Sequence, residues 1–76
     1  RTIILDPARA GIAPKTLLKI ININADRIVY VSCNPATQAR DTEVLILNNY
    51  KIKKISLVDQ FPHTAHIETV VLFEKL

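Results

Sequence analysis

The 76-residue chain has one cysteine, one glycine, and no methionine or tryptophan. A lone cysteine, Cys33, excludes an internal disulfide and fits a reducing compartment, so a cytoplasmic location is expected. A lone glycine, Gly11, is too few for a self-contained nucleotide-binding domain with its glycine-rich turn. No apolar run approaches the roughly 20 residues that span a bilayer as a helix, and no signal-peptide pattern opens the chain. His63 and His66 are joined by only that one cysteine, so no metal-ligand quartet forms and no metal is expected. The chain opens on "RTIILDP", inside what reads as a strand and without an initiator methionine. It therefore reads as a C-terminal excerpt of a longer protein.

What is present suits a small globular unit. The composition is 49% hydrophobic, which supports a core and argues against disorder. Chains this short bury only about 60% of their unfolded surface, so one domain is the upper bound. The net charge of +3 is compatible with a polyanionic partner without requiring one.

Hydrophobic patterning orders the elements β-α-β-α-β-β. "TIIL" (2–5) is a β-branched run stopped by Asp6-Pro7, because Pro7 cannot donate to a ladder. Pro14 suits the first turn of a helix over about 15–23, with Leu17, Leu18 and Ile21 on one face. "RIVYVS" (27–32) reads as a buried strand. Asn34 is a good N-cap and Pro35 a good first residue for a helix over about 35–48. Its inner stripe is expected to hold Ala36, Ala39, Glu43/Val44 and Leu47. "YKIKKISLVD" alternates with a phase slip between Ile52 and Ile55 that suggests a bulge. In "HIETVVLFEKL", His66 and Glu68 fall on one face, and Ile67, Thr69, Val71 and Phe73 on the other. The two βα units predict a mostly parallel α/β sheet, with an antiparallel last strand.

Two side chains stand out for chemistry. In open parallel sheets, ligands bind beyond the carboxyl ends of the strands. Asp6 and Cys33 each follow a strand and should line one cleft. Cys33 also precedes a helix, whose N-terminal partial charge and free N–H groups favour thiolate, as a nucleophile requires. The competing reading is an inert, buried cysteine packed as a small hydrophobe. Glu68, in an otherwise apolar strand, is a candidate general base, against the plainer reading of an exposed edge-strand glutamate. Lys51, Lys53 and Lys54 suit a phosphate backbone, or more simply a solvated strand face.

"LDPARAG", "SCNPATQARD" and "DQFPHTAHIETVVLF", in this order, resemble the last three motifs of the S-adenosylmethionine-dependent RNA uracil-5-methyltransferase family. The resemblance spans nearly the whole chain. It implies that residues 1–76 are the C-terminal half of a Rossmann-like methyltransferase domain. The parent would transfer a methyl group from S-adenosylmethionine to C5 of uridine in RNA, ribosomal (23S) RNA being favoured over transfer RNA. By the same resemblance Cys33 matches the nucleophile that adds to uracil C6, and Glu68 the base that removes the C5 proton. Asp6 matches the acidic residue near the methyl donor, while Arg9, Asn34 and Pro35 shape the substrate pocket. Ala8 departs from the family's usual "DPPR" and costs the loop some rigidity. The target base must be flipped out or presented in a loop, and Phe61 is a lesser candidate for holding it. The methyl-donor site lies mainly in residues outside this chain, so the 76 residues alone are expected to be inactive. Two other classes compete: a non-catalytic α/β module that binds RNA or protein, and an enzyme using Cys33 for redox or acyl transfer.

Overall fold

A computed structural model describes residues 1–7, 11–59 and 67–76. The elements are β1 (Thr2–Leu5), α1 (Pro14–Ile23), β2 (Arg27–Ser32), α2 (Pro35–Leu47), β3 (Tyr50–Asp59) and β4 (Ile67–Lys75). They build one four-stranded sheet in the order β1-β2-β4-β3.

The mostly parallel sheet expected from sequence is corrected here, because the sheet is mixed. β1 and β2 pair parallel, but β2–β4 and β3–β4 are both antiparallel. β1, β2 and β3 still run in one direction, as their helical crossovers demand. β4 does not close an edge. It slots between β2 and β3 and converts what would have been a second parallel pair into two antiparallel ones. The phase slip foreseen in β3 is real: the register shifts between Ile52 and Lys54.

Helix boundaries follow local chemistry. Pro14 opens α1, where its missing N–H costs nothing, and Asn24 ends the helix in the left-handed region at φ 62°. Asn34 caps α2 by accepting from the Ala36 N–H at 3.1 Å, and Pro35 fills the first helical position.

Both helices bury side chains against one face of the sheet. Ile28, Tyr30, Val71 and Phe73 from the strands meet Leu17 and Ile20 of α1 and Leu45 of α2, with Ile12 and Tyr50 completing the core. Full burial of each large side chain contributes roughly 1.5–3 kcal/mol. The expected helix faces hold for Leu17, Ile21 and Val44, which pack on the core, and need correction elsewhere. In α1 the inward residues are Leu17 and Ile20, while Leu18 is exposed. In α2 the inward residues are Gln38, Asp41 and Leu45, while Ala36, Ala39 and Leu47 face solvent. Apolar spacing misassigned α2 because its buried polar residues are each bonded to the sheet or to a loop.

Buried phenols find partners as their burial demands. The Tyr30 hydroxyl donates to Asp41 Oδ2 at 2.6 Å, and the Tyr50 hydroxyl donates to the Ala25 carbonyl at 2.7 Å. Burial, reinforced by the neighbouring Asp41 carboxylate, pushes the Tyr30 phenol well above the ordinary tyrosine range. Burial, followed by the charge of Asp26, raises Tyr50 in the same direction.

The chain's one glycine sits where a side chain would not fit. Gly11 has φ +84°, and a Cβ there would lie 3.0 Å from Thr37 Cβ and 3.1 Å from Asp41 Oδ2. Gly11→Ala is expected to destabilise the fold by about 1–3 kcal/mol through backbone strain and crowding. Thermal unfolding of the variant checks this, and an unchanged Tm contradicts it. The two raised phenols give a second expectation. A folded-state pKa above the unfolded one means that stability is intact below the unfolded value, about pH 10, and lost as pH climbs through the folded values. Tm should therefore hold steady from neutral pH to about pH 9 and decline beyond about pH 10, less steeply in Tyr30→Phe.

Candidate active site at the carboxyl end of the sheet

Three candidate residues sit at one end of the sheet. Asp6 follows the last residue of β1, and Cys33 follows the last residue of the adjacent, parallel β2. Glu68 lies at the start of β4, which runs the opposite way and so begins where β2 ends. The β2–β4 register ends on the pair Ser32–Thr69; Cys33 directly follows the first of these residues and Glu68 directly precedes the second.

The turn that carries Cys33 is pinned on both sides. The Ser32 hydroxyl accepts from the Asn34 N–H at 3.0 Å and donates to the Asn34 carbonyl at 3.1 Å. The Thr37 hydroxyl donates to the same carbonyl at 3.2 Å. Ser32 is buried and Cys33 is exposed, so the buried-hydrophobe reading of the cysteine does not hold. Asn34 is half-buried and spends its side chain capping α2, while Pro35 is exposed in the first turn.

Glu68 is half-buried on a strand with neighbours on both sides, which removes the edge-strand reading. It shares a face with Val70 and Leu72, opposite the helix-covered face of Val71 and Phe73. The start of β4 is tied to α2 by Gln38, which is 4% exposed. Its Nε2 donates to the Thr69 carbonyl at 3.1 Å and the Tyr30 carbonyl at 3.2 Å. One amide thus links the helix that follows Cys33 to the strand that carries Glu68.

Asp6 is exposed on the rim of a cavity of about 370 Å³, whose wall includes Ile4, Pro7, Gly11, Thr16 and Ile20. This volume lies within the range of small-molecule sites. A mainly apolar wall with one carboxylate suits a ligand that joins an apolar body to a cationic or hydroxyl-bearing group. The far side of the loop is held by α2, since the Asp41 carboxylate accepts from the Ile12 N–H at 3.0 Å.

Arg9, Phe61, His63 and His66 lie outside the described residues. Among the described residues no group of three or more His, Cys, Asp or Glu side chains could hold a metal ion. No described helix is long and apolar enough to cross a membrane. Lys51, Lys53 and Lys54 are exposed, and Lys53 is salt-bridged to Glu74 at 3.1 Å. That ammonium, donating to Glu74, holds its carboxyl below the usual range. Part of the lysine cluster's charge is therefore compensated within the sheet.

The contacts by which Gln38, Asp41 and Gly11 hold the site together emerge only in the fold. A signal was present: two polar residues three apart in α2, and the only glycine in the chain, placed within a candidate motif.

Comparison with known proteins agrees with the motif order. The tRNA (uracil-5-)-methyltransferase family model matches residues 1–76. A 23S rRNA (uracil(1939)-C(5))-methyltransferase of Klebsiella pneumoniae is 53% identical over 73 residues, covering 96% of this chain and 17% of the relative. The same enzyme of Mannheimia succiniciproducens is 49% identical over 73 residues, covering 96% and 16%. The crystal structure of Pyrococcus abyssi tRNA (uracil-54, C5)-methyltransferase in complex with S-adenosyl-L-homocysteine superposes with a TM-score of 0.81 at 44% identity, covering 95% of this chain and 18% of that one. The chain thus spans about a sixth of the length of the relatives it matches. On the match of the family model to every residue, and on identities near one half, the chain belongs to the tRNA (uracil-5-)-methyltransferase family.

Proposed function

We propose that this chain is the C-terminal part of the catalytic domain of an RNA (uracil-5-)-methyltransferase, Rossmann-like as a whole and working in the cytoplasm. The observation that carries the reading is the shared end of the sheet, with an exposed Cys33 directly after the last β2–β4 pair on one strand, a half-buried Glu68 directly before it on the other, and Asp6 on the next strand. A nucleophile beside a separate base is what C5 methylation of uracil requires.

The chemistry follows from those residue types. Uracil C5 is a poor nucleophile. The Cys33 thiolate adds to C6, forming the S–C6 bond and shifting the C5–C6 π pair into an enolate, which makes C5 nucleophilic. The methyl donor, S-adenosylmethionine, would supply an electrophilic sulfonium methyl group, which C5 takes as the S–CH3 bond breaks and S-adenosylhomocysteine leaves. Once C5 carries the methyl group, Glu68 takes the remaining C5 proton; the C5–C6 double bond re-forms and the thiolate departs. Asp6 supplies the carboxylate on the donor side, where its cavity offers apolar contact and one anionic group. The donor is held mainly by residues outside this chain, since no glycine-rich turn is present. Arg9, Asn34 and Pro35 shape the pocket around the flipped base, Asn34 through the cap that fixes the turn after Cys33.

The substrate is RNA, and the longer protein's preference is for 23S ribosomal RNA over transfer RNA. What supports this is the higher identity to the rRNA-modifying relative, 53%, than to the tRNA-modifying one, 44%.

The test is covalent trapping in the longer protein that carries this segment. RNA containing 5-fluorouridine has no C5 proton to lose, so with S-adenosylmethionine it should leave a denaturation-resistant protein–RNA complex that Cys33→Ala abolishes. On ordinary uridine, Glu68→Gln should slow turnover by about 10²–10⁴-fold and accumulate the adduct. Methylation that survives Cys33→Ala contradicts the reading.

A further inference from the structure

The core of this small sheet contains a carboxylate. Asp41 is 1% exposed, and its carboxylate is held by donors from three segments of the chain. Oδ2 accepts from the Ile12 N–H at 3.0 Å and from the Tyr30 hydroxyl at 2.6 Å, while Oδ1 accepts from the Arg40 Nη2 at 3.3 Å. Arg40 Nη2 also reaches the Ile12 carbonyl at 3.4 Å. The Arg40–Asp41 pair therefore takes hold of both backbone groups of Ile12. Directly before it, Gly11 packs so closely on α2 that a Cβ would meet Thr37, Arg40 and Asp41. A buried carboxylate is costly, and an apolar residue of similar volume would give equal or greater stability. What an apolar residue cannot do is grip a backbone N–H at one angle and one distance.

We propose that Asp41 is a positioning residue, which fixes Gly11 and Ile12 against the helix that Cys33 leads into. β1 places Asp6, and Asp41 places Gly11 and Ile12 on the opposite wall of the same cavity, so Asp41 determines where the methyl-donor side of the site lies relative to the thiol. This inference rests on the methyltransferase reading. Asp41 does not touch the reacting atoms. It acts through Ile12 and Gly11, both of which line the cavity at Asp6.

The experiment uses the longer protein that carries this segment, with three variants and three measurements: S-adenosylhomocysteine binding by calorimetry, amide exchange at Ile12, and Tm. Asp41→Ala removes every contact. It should speed exchange at Ile12 and weaken binding by about tenfold or more, since displacements near 1 Å at a site have effects of this size. Asp41→Asn keeps one acceptor for the Ile12 N–H but loses the charge that holds Arg40, so its binding should fall between wild type and Asp41→Ala. If Asp41→Ala does not fold, Asp41→Asn must still weaken binding by about threefold, the smaller displacement expected of it. Tyr50→Phe removes a different buried phenol bond, to the Ala25 carbonyl, that involves neither Asp41 nor Ile12. It should lower Tm while leaving binding within about twofold of wild type, as a loss of stability alone does. Unchanged binding in Asp41→Ala, or equal weakening in Tyr50→Phe and Asp41→Ala, overturns the inference. A wild-type protein that binds no S-adenosylhomocysteine overturns the methyltransferase reading and takes this inference with it; wild-type affinity that Asp41→Ala leaves intact overturns the inference alone.

Discussion

The antiparallel insertion of β4 between β2 and β3 is the constraint on which the rest depends. Had β3 paired directly with β2, the strand carrying Glu68 would lie at the sheet's edge, away from Cys33. Six register pairs, from Arg27–Glu74 to Ser32–Thr69, instead lock the two strands together. An antiparallel ladder resists a one-residue slip here because a slip would turn Val71 and Phe73 out of the core and put Val70 and Leu72 in. The apolar face of β4 thus fixes the place of a polar residue on its other face. The packing that stabilises the sheet and the packing that positions the carboxylate are one interaction.

The second layer of control is polar and comes from one helix. α2 is only weakly apolar on its inner side, yet it touches each candidate segment. Its N-cap Asn34 holds the turn after Cys33, Gln38 bonds the start of β4, and Asp41 bonds the loop beyond Asp6. Hydrogen bonds to backbone groups carry direction, which apolar contacts do not, and directional contacts suit a site whose parts come from three strands. No buried side-chain polar atom among the described residues lacks a partner. The polar network is therefore complete within itself, and the core tolerates it.

Much of this was legible in the sequence. Pro14, Asn34 and Pro35 mark helix starts by local chemistry, and they do so correctly because capping is decided within a few residues. The slip in β3 was visible as broken alternation. The pairing of β1 with β2, and with it Asp6 and Cys33 on adjacent strands, followed from the crossover rule. The position of β4 within the sheet was not legible, because strand order is settled by long-range packing that leaves no local mark. The inner face of α2 was misread for a related reason. Gln38 and Asp41 look like surface residues until the carbonyls and N–H groups that satisfy them are brought alongside by the fold. The motifs pointed to Cys33, Glu68 and Asp6 through resemblance; spacing alone left inert readings open for the first two. Exposure of the thiol and the interior place of β4 removed those readings.

The account's central claim is that thiol and carboxylate act on one base from adjacent strands. A crystal structure of the longer protein trapped on 5-fluorouridine RNA tests it most directly. The account predicts Cys33 Sγ bonded to uracil C6 and the Glu68 carboxylate facing C5 of the same ring, at about 3 Å, within the reach of a general base. A structure with Glu68 turned away from the ring, or with the RNA bonded to any other residue, would contradict it.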